Sequence, residues 1–347
     1  MRTLLSWMPS FATAKGLRRG GNVGCKVGLA AMALLATAGG VAPSQAGTVT
    51  FGSGANTFNM EFVTIGNPGN AADTTGAPNS AGAVGYTYGI GKFEVSEDMI
   101  NKYNALNPGL QISKDTRGTN KPATRVSWNE AARFVNWLNT STGNQAAYKF
   151  TTSGVNDDIA LWQSGDAGYD ELNPYRNSLA KYFLPSYNEW YKAAYYNPTN
   201  STYYNFANGS DTAPTAVASG TGNNTAVYNQ SFSQGPADVT NAGGLSPYGV
   251  MGLGGNVFEW EESSDNLLNS SGSSSRGIRG GLWISNSSNL SSSTRNNGDP
   301  YDESFNVGFR VASLPSSAPP AVPEPSMMVI GTLFGLGGLM AKRRMKK

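Results

Sequence analysis

The chain has 347 residues, no histidine and a single cysteine, Cys25. Those absences exclude histidine-based catalytic triads and the usual soft-ligand sets for copper, iron and zinc. Ten of the 25 basic residues but only one of the 23 acids, Glu324, lie in residues 1–46 and 323–347, so the stretch between them holds fifteen basic against twenty-two acidic groups, a net charge near −7. An acidic body with no basic run excludes a nucleic-acid surface, whose affinity rests on neutralising phosphates.

The first element in chain order is a leader. Its only charged residues are Arg2, Lys15, Arg18, Arg19 and Lys26; an apolar run at 27–38 follows, then small residues ending in Ser44-Gln45-Ala46. That order of charge, apolar core and small-residue exit predicts a secretory signal over 1–46, cut by signal peptidase before Gly47. Cys25 leaves with it, so the exported body has no disulfide and depends on its own apolar core. The body is rich in Gly, Ser, Asn and Thr, yet the chain carries seven Trp, sixteen Tyr and fourteen Phe. Disordered chains lack such aromatics, which predicts a packed, loop-heavy globule.

After a lead-in at 47–57, three helices follow from capping chemistry. Ser96 opens one carrying Met99, Ile100, Tyr103 and Leu106, stopped by Asn107-Pro108. Ser127-Trp128-Asn129-Glu130 and Ser186-Tyr187-Asn188-Glu189 are both Ser-x-x-Glu capping boxes. The first opens a helix with Trp128, Ala131, Val135 and Leu138 on one face, the second a helix that ends before Pro198. Short strands are predicted at 86–95 and 308–311. Pro315, Pro319 and Pro320 mark residues 314–322 as an extended stalk.

The C-terminal segment, 323–347, has three parts: Pro323-Glu324-Pro325, an apolar stretch at 327–341, and the basic cluster Lys342, Arg343, Arg344, Lys346 and Lys347. It resembles the PEP-CTERM sorting signal of Gram-negative bacteria, in which an exosortase-type membrane enzyme recognises Pro-Glu-Pro and cuts the protein for surface display or release. The alternative is a plain membrane anchor, although the apolar run is short for a permanent span. Either way the body lies outside the cytoplasm, at the cell surface or beyond, with the positive tail inside and the membrane contact transient if the tail is cut.

Within the body a series of blocks occurs in fixed order: Gly91-Lys92-Phe93-Glu94-Val95-Ser96, Pro122-Ala123-Thr124-Arg125-Val126-Ser127-Trp128, Tyr182-Phe183-Leu184-Pro185-Ser186 with Glu189-Trp190, Gly254-Gly255-Asn256-Val257-Phe258-Glu259-Trp260, Arg279-Gly280-Gly281-Leu282-Trp283, and Gly308-Phe309-Arg310-Val311. The series resembles the formylglycine-generating enzyme, or sulfatase-modifying factor, domain over 58–313. The resemblance implies an α+β fold related to the C-type lectin, with little regular secondary structure and much ordered loop. Trp128, Trp190, Trp260 and Trp283 are expected in its core, since buried tryptophan contributes a large apolar area.

Catalytic members of that family hold copper on two cysteines shortly after the Gly-Gly block. Those positions fall here on Ser285 and Leu290, neither of which replaces a thiolate. A second branch uses histidine-bound iron, which a chain without histidine cannot hold. No Gly-x-Ser-x-Gly elbow or Gly-Lys-Ser/Thr phosphate loop is present. Asp157, Asp158, Glu261, Glu262 and Asp265 supply carboxylates for a glycosidase pair, but clustered surface acids ordinarily serve solvation.

The resemblance also implies a calcium site at 255–259, with carbonyls of Gly255 and Val257, the Asn256 amide oxygen and the Glu259 carboxylate; the alternative has Glu259 bracing the turn only. The loop that replaces the catalytic one presents Ser285, Asn286, Asn289, Arg295, Asn297 and Tyr301, a polar set suited to sugars or peptides, or else simply a solvated loop. The expectation is a non-catalytic exported binding or structural module engaging exopolysaccharide or a surface protein. The alternative is an enzyme that modifies exported proteins or glycans without the cysteine pair.

Overall fold

The structure, a computed structural model, describes residues 47–315. The expected secretory leader and the expected sorting segment with Pro323, Glu324 and Pro325 lie outside the described residues, as does all of the expected stalk beyond Pro315. In chain order the elements are β1 (Gly47–Phe51), β2 (Phe58–Ile65), β3 (Tyr88–Gly91), α1 (Glu97–Leu106), α2 (Trp128–Thr140), β4 (Tyr182–Phe183) and α3 (Tyr187–Tyr195). They continue with β5 (Tyr196–Asn197), β6 (Thr202–Tyr203), β7 (Thr215–Ala216), β8 (Thr225–Ala226), β9 (Phe258–Ser264), β10 (Arg276–Arg279), β11 (Asn296–Gly298), β12 (Val307–Gly308) and β13 (Ala312–Ser313).

All three helices begin at the serines the sequence marks. Ser127 Oγ accepts from Glu130 N at 3.1 Å while Glu130 Oε2 accepts from Ser127 N at 2.8 Å, so two end-of-helix N–H groups are satisfied reciprocally. Ser186 and Glu189 repeat the device on α3, and Ser96 caps α1 through Met99 N. The α2 face of Trp128, Ala131, Val135 and Leu138 is buried.

The larger sheet has the order β1-β2-β3-β13-β4, antiparallel throughout, and the smaller has β11-β10-β9-β12 with β12 parallel to β9. The main core, containing Trp128, Trp260 and Trp283, joins α2 to both sheets; a second core surrounds Trp190 of α3. All four tryptophans are buried, as the sequence predicts.

Three expectations need adjustment. The lead-in is part of the domain: β1 pairs with β2 from Gly47↔Phe62 to Phe51↔Phe58 and forms a sheet edge. The strand expected at 86–95 shrinks to β3, because Val95 turns away to donate to Phe309 O and to accept from Ala123 N. The strand expected at 308–311 is instead a crossing between sheets. β12 ends in the smaller sheet and β13 begins in the larger, and between them Arg310 dives into the core.

Candidate functional site

The 254–260 block is a brace. Gly255 has φ +88°, and a Cβ there would come within 2.3 Å of Val227 O, so glycine is required. Asn256 is wholly buried: its Oδ1 accepts from Ala237 N at 2.8 Å, its Nδ2 donates to Glu94 Oε1 at 2.9 Å, and its carbonyl accepts from Trp283 N. Val257 is packed in the main core. Glu259 Oε1 and Oε2 accept from Arg310 Nη2 and Nε at 2.5 and 2.6 Å, and Oε2 also accepts from Trp190 Nε1 at 2.8 Å. Arg310 in turn donates to Gly91 O and Met251 O.

These residues do not fit a calcium ion. Both carboxylate oxygens are occupied by a buried guanidinium that a divalent cation would have to displace, and removing one partner of such a pair leaves an uncompensated charge. The calcium ligand set of Gly255, Asn256, Val257 and Glu259 is therefore corrected to a structural clamp. Among the described residues no cluster of three or more Asp, Glu or Cys is placed to share a metal.

The replacement loop divides. Ser285 is buried, and its Oγ accepts from Leu282 N at 3.1 Å. Leu290 is buried against Ala226 and Tyr228, and the cavity beside it measures about 10 Å³, room for no more than one water. Arg295 is tied down as well, its Nε donating to Glu261 Oε2 at 2.8 Å and its Nη2 to Ser264 O at 3.0 Å. Ser285 and Arg295 thus leave the expected ligand surface, because their polar groups brace the loop from within. Asn286 remains exposed, capping the short 3₁₀ turn Ser287–Leu290, with Asn289 half-buried in that turn. Asn297 is exposed on β11, and Tyr301 is exposed in the turn beyond it, donating to Asp299 Oδ2.

The carboxylates also separate. Strand alternation sends Glu261 and Glu262 of β9 to different arginines. Glu261 holds Arg279 and Arg295, whereas Glu262 holds Arg176. Both are fully buried, which corrects the expectation of solvated surface acids. Asp158 is exposed and Asp157 half-exposed, the latter accepting from Gly154 N.

A cleft of about 440 Å³ lies where the N-terminal turn of α3 meets Tyr86, the loop at 170–178 and the loop at 263–269. Arg176 forms its floor. Its Nε and Nη2 donate to Glu262 Oε1 and Oε2 at 2.7 and 2.6 Å, and its Nη1 and Nη2 to Glu189 Oε1 and Oε2 at 3.1 and 2.8 Å. Tyr86 donates to Glu189 at 2.5 Å, and Tyr148 and Asn173 donate to Glu262.

Burial works against ionising Glu189, but Arg176 and the surrounding donors outweigh it and hold its carboxyl below the usual value. Burial and the Glu189 carboxylate push the Tyr86 phenol well up. A carboxylate held down in this way does not donate a proton near neutral pH, so Glu189 is not a general acid. Sequence reasoning missed Arg176, which stands in no motif. The Glu259–Arg310 pair had a signal, since both residues lie in recognised blocks.

Residues 45–314 match the description of the sulfatase-modifying factor enzyme 1-like domain. The chain belongs to the sulfatase-modifying factor family. Two solved structures share the fold of this sulfatase-modifying factor chain. Variable protein 1 of Treponema denticola is 21% identical, with a TM-score of 0.51, covering 77% of this chain and 99% of its own. CarF is 20% identical, with a TM-score of 0.55, covering 74% of this chain and 99% of its own. No curated protein matches the chain by sequence. The α+β, loop-rich architecture agrees with the fold that the motif series implies.

Proposed function

We propose that this sulfatase-modifying factor domain is a non-catalytic binding module, exported and held at the cell surface or in the extracellular polysaccharide matrix. The observation that carries the reading is the state of the two positions aligned with the family's cysteine pair. The Ser285 hydroxyl accepts from Leu282 N, and Leu290 is a buried aliphatic side chain packed with Ala226 and Tyr228. Neither offers a soft ligand, and the cavity beside Leu290 holds no more than one water. What persists is a scaffold that presents polar loops and a cleft of about 440 Å³ to solvent. The leader and sorting tail supply the case for export.

The test is a cysteine-containing sulfatase-type peptide incubated with the protein, with and without copper. No aldehyde product is expected by mass spectrometry. An aldehyde dependent on this chain would overturn the reading.

A further inference from the structure

We infer that the cleft above Arg176 is a binding site for a neutral saccharide unit of a longer glycan. The inference rests on the binding-module reading and gives it a location. Its volume of about 440 Å³ suits a small ligand, and it is larger than the space beside Leu290 by more than an order of magnitude.

The floor is preorganised. Arg176 is locked between Glu189 and Glu262, and its guanidinium carbon lies 3.7 Å from the centre of the Phe183 ring. Among the described residues no hydrogen bond reaches Oδ2 of Asp170, Nδ2 of Asn188 or the hydroxyl of Tyr187, atoms of three residues that line the cleft. They supply an acceptor, a donor and a group that does both, the complement of neighbouring sugar hydroxyls.

The remaining lining sets the polar side chains Asn173, Ser178, Ser186, Ser263 and Asn269 beside an apolar part. Tyr86 is 43% exposed and Leu172 91% exposed, while Leu267 and Leu314 complete the walls, a surface for the C–H face of a pyranose. Charge decides against an acidic ligand. Arg176 is already paired with two buried carboxylates, Glu189 and Glu262, and Asp170 adds a third negative charge to the lining, so a uronate or phosphate meets net repulsion. A cation gains little, because Arg176 already occupies the oxygens of Glu189 and Glu262.

Calorimetric titration of the full chain with maltohexaose, cellohexaose, laminarihexaose and chitohexaose tests the assignment, with hexagalacturonate as the acidic control. At least one neutral probe is expected to bind and hexagalacturonate is not. Tyr187→Phe and Asp170→Asn, which keep the ring and the local turn, should each weaken binding between about twofold and about tenfold. Their melting temperatures should match the wild type, so that lost binding reports the cleft and not unfolding. Failure of all four neutral probes, or unchanged affinity in the double variant, overturns the site. Unchanged affinity leaves the binding-module reading in place, because the glycan still binds elsewhere; the aldehyde assay tests that reading separately.

Discussion

At the scale of single residues, the 254–260 block closes on a buried glutamate–arginine pair. Glu259 and Arg310 are both fully buried. Breaking that pair should cost about 3–5 kcal/mol, because the survivor is left charged in a dry site. Arg310→Met is therefore expected to lower the urea midpoint sharply, while the wild type melts at one temperature in calcium and in chelator. A calcium-dependent melting temperature abolished by Glu259→Gln would restore the metal reading.

Glu94 gives the opposite electrostatic signature. Burial, then the nearby Glu259 charge, raises its pKa from 4.5 to about 8, and its Oε2 has no hydrogen-bond partner among the described residues. The folded state holds this proton more tightly than the unfolded state, so the stability it confers is complete below about pH 4.5 and is lost as pH rises through about 8. Glu130, raised to about 6 by burial, adds a loss of the same sign over a lower range. Unfolding free energies measured from pH 5 to 8.5 should fall, and Glu94→Gln should flatten the upper part of that fall. A slope unchanged in the variant would show that Glu94 ionises normally.

At the scale of elements, the serine caps are alike in sequence but not in surroundings. Ser186→Ala removes one cap bond and should cost about 1 kcal/mol. Ser127 is fully buried and also donates to Asn156 Oδ1 at 2.7 Å, so Ser127→Ala loses a second bond and should cost more. Equal urea midpoints for the two variants would contradict this ordering. The helices were legible because capping residues and apolar spacing act within one or two turns. The strands were not. β12 and β13 are two residues each, in different sheets, and their limits are set by partners far along the chain.

At the scale of the whole molecule, β1 begins at Gly47 and β13 ends at Ser313, and both belong to the larger sheet. The two ends of the described residues therefore lie on one sheet. If the tail is a sorting signal, intact mass measurement of protein from the native host should show loss of everything after the Pro323-Glu324-Pro325 region. A mature chain ending at Lys347 would leave an anchor in place of a processing signal.

The sequence by itself determined the absence of histidine and of thiols in the body, the three capped helices, the four core tryptophans and the motif series that matches the family. Each of these depends on residue identity or on short-range spacing. Only the tertiary structure decided what the polar residues do. Glu259 meets Arg310 across 51 positions, Arg176 meets Glu262 across 86, and Asn256 meets Glu94 across 162. Local periodicity cannot encode such pairings, and a buried carboxylate looks the same in sequence as a solvated or metal-binding one. Burial imposes the choice, because each charge taken out of water must find its partner wherever the fold brings one.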